Sequence, residues 1–174
     1  MSPKSISASF DELLADAKQS AVHLEMRDTY YSNPRFEEWR QGARVDWSDH
    51  ASWWRPFHDQ IAEAVGRGVV VRRARVVSEP VTEYIRWEHY VTHANIAAGE
   101  QVRWLPRQHT ADLLMPGCDF WIFDGAVIRV HNFAGNGDFL GEDFFDDAAL
   151  VGLNAAAFER VWDRATPHAQ YEIR

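Results

Sequence analysis

Near the start of the chain, apolar residues recur at helical spacing. Phe10, Leu13, Leu14, Ala17 and Ala21 share one face, and Ser9-Phe10-Asp11-Glu12 has the form of a capping box, so a helix is predicted from Ser9 onward. Residues 22–31 (VHLEMRDTYY) alternate apolar and polar side chains well enough for a short strand, or for a continuation of that helix. Asn33-Pro34 signals a turn, and Phe36 with Trp39 predicts a short helix that stops near Gly42.

A second amphipathic stripe over residues 50–66, formed by Trp53, Trp54, Phe57, Ile61, Ala64 and Val65, predicts a helix with Pro56 in its first turns and glycines at its end. The run from Val69 to Val77 carries valines on both strand faces, the pattern of a strand covered on both sides. Pro80 then opens a predicted helix to about Ala98, ended by Gly99. Strands are predicted at Gln101–Leu105, Asp119–Phe123 and Ala126–Phe133, the last two joined by an Asp124-Gly125 hairpin turn. A glycine-rich acidic loop from Gly135 to Asp147 leads to a final helix over about 146–165, with Leu150, Leu153, Ala157, Val161 and Trp162 inward. This order predicts an α/β fold, with α+β as the alternative, in which a mixed β-sheet is flanked by helices. The expected organisation is one domain over 1–174, with residues 1–49 an N-terminal helical extension packed on an α/β core at 50–174.

Composition agrees with a globular chain: 46% of its 174 residues are hydrophobic and 25% charged, and a chain this long buries roughly 70% of its unfolded surface. The single cysteine, Cys118, excludes an internal disulfide and reads as a buried, inert thiol. Residues 1–9 hold no apolar leader, and no apolar run reaches the roughly 20 residues of a bilayer span, so a cytoplasmic protein with no membrane partner is expected. A net charge of −8 disfavours direct nucleic-acid binding, which draws its affinity from lysines and arginines. A homodimer is left open.

Candidate chemistry centres on Arg72, Arg73 and Arg75, set among valines that should be buried. A buried guanidinium is costly unless paired, and Glu79, Glu83, Glu88, Asp119 and Asp124 are candidate partners. Full pairing makes the strand scaffold. Unpaired guanidiniums make it a site for a small anion at the strand's carboxyl end, toward which Arg103 and Arg107 would converge. The ligand-binding residues expected on that reading are Arg72, Arg75, Glu79, Tyr84, Arg86, Glu88, Arg103, Arg107, Asp119 and Asp124. Thr82, Arg86, His89 and His93 form one polar stripe on the Pro80 helix; His89 and His93, with an i, i+4 spacing, are weak metal candidates, and no cofactor is predicted. The acidic run Glu142–Asp147 lacks the alternating oxygen ligands of a calcium loop and reads as a helix N-terminus.

The segments RGVVVRRARVVSEPVTEYIRWE, AGEQVRWLPR and DFWIFDG resemble an uncharacterised domain family common in actinobacteria and often encoded near helix-turn-helix regulators, over most of the chain from Phe10 onward. The order of strand, helix, strand and hairpin before a helix also resembles one half-domain of the phospholipase D-like fold. If Asp124 takes the aspartate position of that fold's H-x-K-x4-D motif, Gly117 and Asp119 stand where histidine and lysine would be. That resemblance implies a non-catalytic relative. A regulatory or sensory module is therefore expected, binding a small anionic ligand or a protein partner of the helix-turn-helix regulator type. The alternative is a small-metabolite enzyme using His, Glu and Asp for acid–base or metal chemistry.

Overall fold

The computed structural model describes residues 5–30 and 33–174. Residues 1–4 and Tyr31, the end of the expected first strand, lie outside the described residues.

Among the described residues seven strands form one mixed sheet in the order β6-β5-β4-β1-β2-β3-β7. They are β1 (Ser20–Glu25), β2 (Val70–Val77), β3 (Gln101–Pro106), β4 (Phe120–Phe123), β5 (Val127–Phe133), β6 (Phe139–Phe145) and β7 (Thr166–Pro167). The helices are α1 (Phe10–Asp16), α2 (Pro34–Arg40), α3 (His50–Trp53), α4 (Pro56–Gly66), α5 (Glu83–Ala97) and α6 (Ala148–Arg164). β1, β2 and β3 are parallel, and the remaining pairings are antiparallel. No helix among the described residues is long and apolar enough to cross a membrane.

Side chains alternate across this sheet. One face holds Val22, Leu24, Ala74, Val76, Ile122 and Ile128, closed by Val151, Phe158, Val161 and Trp162 of α6. The other is covered in two portions: Leu14, Ile61 and Ala64 of α1 and α4 pack over Val71, Trp121 and Phe123. Ile85 and Trp87 of α5 pack over Val77, Val102 and Trp104. Gly99 closes the approach of α5 to α4. Its φ is +95°, and a Cβ there would stand 2.9 Å from Val65 Cγ1.

The expected mixed sheet with flanking helices is present, and several boundaries are corrected. β1 lies in the middle of the sheet between β4 and β2, so residues 1–49 are not a helical extension. Residues 21–24 are buried, and both edges of the strand find neighbours. The helix expected over 50–66 breaks before Pro56, which lacks the amide needed to continue it and instead starts α4 at its first position. Pro80 does not open α5. Its peptide with Glu79 is cis, and Thr82 caps the helix by accepting the Ile85 amide at 3.1 Å. The acidic loop contains β6, which pairs with β5 through a bulge at Asn132/Phe133. In α6, Leu153 is exposed, while Val151 and Phe158 point inward.

The Asp124-Gly125 turn is as expected, with φ of 51° and 64°. The Asp124 carboxylate accepts the backbone amides of Lys18, Gln19 and Ser20 at 2.8, 2.8 and 2.9 Å, pinning the hairpin to the start of β1.

Candidate functional site

Arg73 and Arg75 project from β2 beneath α4 and α5, and both are buried. Arg73 donates to Glu100 at 2.7 Å and to Glu25 at 2.9 Å. Arg75 donates to Glu25 at 2.5 Å and to Thr92 Oγ1 at 2.7 Å, and lies 3.6 Å from Glu88. Burial alone would raise the Glu25 carboxyl, but Arg73 and Arg75 outweigh it and hold the group well below the usual carboxylate range. These two arginines are scaffold. Arg72 points to the opposite face, where it makes a two-point pair with Glu159 at 2.9 and 2.6 Å and lies over Phe158 and Trp162.

Above this ion-paired floor runs a cleft of about 620 Å³ between α2, α4, α5 and the sheet. Its apolar walls include Phe10, Phe57, Trp87 and Trp121, and its basic lining includes Arg35, Arg73, Arg75 and Arg129. Arg129 is engaged by Glu142. Arg35 is different: among the described residues its guanidinium makes no ion pair and donates no hydrogen bond. Asn33-Pro34 positions it, because Asn33 caps α2 by accepting the Arg35 amide at 3.1 Å. Burial and the neighbouring Arg55 lower the Arg35 pKa. Among the described residues Arg55 itself donates only to the carbonyls of Trp54 and Ser52, both at 2.8 Å.

His58 stands on the same cleft, at the third position of α4. Its Nδ1 accepts the Arg55 amide at 3.0 Å, so the neutral ring carries its proton on Nε2. Burial, then Arg35, lowers its pKa and favours that neutral form.

A second compartment of about 260 Å³ adjoins the first, sharing His23 and Arg129 with it. His23, from β1, stacks on Trp121 with ring centroids 4.3 Å apart, and neither ring nitrogen has a hydrogen-bond partner among the described residues. His131, from β5, lies with its ring centroid 5.5 Å from His23 and leaves Nε2 likewise unsatisfied. Burial, then the Arg129 charge, lowers His131 to about 4; burial depresses His23 well below the ordinary histidine value. Burial raises Glu88 to about 7 and Asp119 to about 6, with Arg75 and the Tyr30 hydroxyl respectively opposing the shift. Tyr30 donates to Asp119 at 2.6 Å, and the Met26 amide donates to the same carboxylate at 2.8 Å.

These residues lie within a recognised sequence family. The chain belongs to the DUF6879 family, a domain of unknown function, matched over residues 8–173. No curated protein matches the chain. Among solved structures, this DUF6879 chain is similar to NucT from Helicobacter pylori, with a TM-score of 0.53 and 10% identity over 90% of this chain and 87% of that one. It is also similar to Nuc from Salmonella typhimurium, a phospholipase D family member, with a TM-score of 0.47 and 12% identity over 90% and 86%. A third similarity is to TrmBL2, an archaeal chromatin protein, with a TM-score of 0.48 and 13% identity over 90% of this chain; the DUF6879 chain spans about half of that protein's length. Identities this low speak to fold alone.

The expected ligand residues are not one site in this DUF6879 chain. Arg75 belongs to the floor of the large cleft, and Tyr84 and Glu88 to the small compartment. Arg72 and Arg103 face α6, where Arg103 donates to the Trp162 carbonyl at 3.0 Å. Arg107 ties strand ends together by donating to the carbonyls of Met26 and Val76 and to Ser78 Oγ. The expected convergence of Arg103 and Arg107 therefore does not occur: Arg103 faces α6 from within β3, whereas Arg107 lies in the 3-10 turn after β3 ends and reaches back over the ends of the neighbouring strands. Glu79 accepts the Tyr171 hydroxyl at 2.8 Å, Arg86 is exposed on α5, and Asp124 is spent on backbone amides. Of the five acids named as partners for the arginine strand, Glu88 alone reaches it.

His89 stacks on His168 and His93 packs on Trp47, and among the described residues no group of three His, Cys, Asp or Glu is placed to hold a metal ion. Cys118 is exposed, contrary to the buried thiol expected, because it lies in the loop ahead of β4. Arg35, His23, His58 and the partners Glu25 and Glu100 were not anticipated. The Asn-Pro cap ahead of Arg35 was the one sequence signal pointing to any of them.

Proposed function

We propose that this domain is a non-catalytic regulatory or sensory module of the cytoplasm that binds a small anionic ligand in the aromatic-walled, arginine-lined cleft. The observation that carries the reading is Arg35: a half-buried guanidinium on the cleft of about 620 Å³, without a carboxylate partner among the described residues. A bound anion would satisfy it with a charge-assisted hydrogen bond, and the Nε2 proton of His58 supplies a second donor on the same cleft. The phenyl and indole walls suit a ligand that joins its anionic group to a flat ring. A non-catalytic role is supported by Gly117 and Asp119 at the positions of the missing catalytic types, and by Asp124 serving the backbone. The resemblance to domains encoded beside helix-turn-helix regulators supports such a regulator as the partner that reads the ligand state.

Isothermal titration with adenosine monophosphate, adenosine and inorganic phosphate tests the reading. The monophosphate is expected to bind more tightly than the nucleoside, and Arg35→Ala to abolish that preference by lowering affinity about tenfold or more. Equal binding of nucleoside and nucleotide, or an Arg35→Ala protein that binds like the parent, would overturn it.

A further inference from the structure

The small compartment beside the anion cleft has the opposite electrostatic character. Glu25 and Glu88 line it; with Glu100 they gather around Arg73 and Arg75, so three carboxylates face two guanidiniums, and Asp119 adds a further negative charge near Glu88. Arg129, which also lines the compartment, does not redress the imbalance, since Glu142 already pairs with it. The distribution of hydrogen bonds shows which acid is left over. Glu25 and Glu100 receive the arginine donors, and Asp119 receives the Tyr30 hydroxyl and the Met26 amide. Glu88 is only 7% exposed, yet among the described residues its carboxylate accepts no hydrogen bond. Its nearest cation, Arg75 at 3.6 Å, is committed to Glu25 and Thr92. A buried carboxylate in this state is destabilised relative to one in water, and a cation with N–H donors beside it would relieve the cost.

The walls around Glu88 are aromatic. Tyr30, Tyr84, Phe133 and Phe139 line the compartment, and the rings of Tyr30 and Phe133 meet edge to face with centroids 5.5 Å apart. Phe133 already accepts a cation on its outer side, where the Arg27 guanidinium lies 4.8 Å from the ring centroid. His23 and His131, both neutral, each bring an unsatisfied ring nitrogen to the same space.

We infer that the compartment lined by Glu88, Tyr30, Phe133, His23 and His131 binds an organic cation, an alkylammonium or alkylguanidinium group. The carboxylate neutralises the charge, the rings contact its flanks, and a histidine nitrogen accepts a second N–H. This inference does not depend on the anion reading. The two compartments share His23 and Arg129, so one zwitterionic ligand would span both if both readings hold.

Binding also moves a proton. Glu88 faces Arg73 and Arg75 from β2, Glu25 and His23 from β1, Tyr30 beyond β1, Asp119 ahead of β4, Arg129 and His131 from β5, and Tyr84 on its own helix. A cation placed against Glu88 lowers its pKa, so near neutral pH the complex releases a proton and affinity rises with pH.

The test is titration calorimetry of the full chain with n-butylamine and n-butylguanidine, with n-butanol and butyrate as neutral and anionic counterparts. Repeating it in two buffers of different ionisation enthalpy counts the protons. The cations are expected to bind at least tenfold more tightly than butanol or butyrate and to release a proton near pH 7. Glu88→Gln should weaken them about tenfold and abolish the release, while the exposed Glu83→Gln leaves both unchanged. Equal binding of butanol or butyrate, no proton release by the parent protein, or an undiminished Glu88→Gln protein would overturn the inference. Arg35→Ala keeps cation binding intact, so failure of either compartment is read separately.

Discussion

Glu25 and Arg75 are register partners on adjacent parallel strands, and their side chains meet at 2.5 Å with both almost wholly buried. The same carboxylate reaches Arg73 at 2.9 Å, so one acid clamps two like charges that stand two residues apart on β2. Removing Glu25 leaves both guanidiniums short of a partner. Glu25→Ala is expected to cost about 3–5 kcal/mol, read from the midpoint of urea unfolding. Because the folded-state pKa of Glu25 is depressed, its contribution is present above the ordinary carboxylate range and is lost as pH falls below roughly 4.

Arg72 provides the contrast from the next position on the same strand. Its pair with Glu159 is half open to solvent on the glutamate side, so water and salt screen it. Arg72→Met should cost about 1 kcal/mol or less, whereas Arg73→Met, which strands Glu100 in the interior, should cost about 3–5 kcal/mol. Parallel urea melts of the two variants check the difference, and equal losses would contradict the assignment of faces.

Glu88 and Asp119 act on stability with the opposite sign to Glu25. Their pKa values are raised to about 7 and about 6, so in the folded state they keep protons that the unfolded chain has already released. Their combined effect lowers stability as pH rises from roughly 4 to 7. Glu88→Gln removes one of these groups and is expected to raise stability at pH 8 by about 1–3 kcal/mol, seen as a higher unfolding midpoint. A variant less stable than the parent at that pH would show that the carboxylate is better accommodated than its surroundings indicate.

His131 contributes in the other direction over part of the same range. Its pKa is lowered to about 4, so the folded protein resists its protonation while the unfolded chain accepts a proton near 6.5. The stability it confers is present above about 6.5 and declines as pH falls toward 4. Proton NMR titration should place its ring resonances at an apparent value near 4. A midpoint near 6.5 would mean that the ring is solvated.

Asp124 holds three amides while occupying a positive φ. Asp124→Asn tolerates the conformation and keeps one acceptor, so a loss of about 1 kcal/mol is expected. Asp124→Ala fails on both counts and should lose about 2–3 kcal/mol by the same unfolding measurement.

Local signals in the sequence were enough for much of this architecture. The Asp124-Gly125 pair marked its hairpin because few dipeptides tolerate that turn, and Gly99 marked the end of α5. β6 was hidden: Phe139-Leu140-Gly141-Glu142 alternates poorly, and Gly141 at a φ of 128° sits by a bulge, so its place comes from pairing with β5 rather than from its own pattern. The arginines of β2 announced a charge problem without its answer. Glu25 and Glu100 reach Arg73 through parallel register and helix placement, relationships that sequence spacing does not encode. Arg35 and His58 face one cleft because tertiary packing brings α2 and α4 together over the sheet.

The central place of β1 bears on how the chain comes to be whole. Ala21 pairs with Val71 on one side and with Phe123 on the other, so β1 acquires its second neighbour only after β2, α5 and β3 have been synthesised. Until β4 emerges, one row of β1 amides and carbonyls stays available to other nascent chains, and such distant pairing folds slowly. Shortened versions that end before Phe120 should therefore collect in inclusion bodies. Trimming from the other end past Gln19 would split the sheet down its middle.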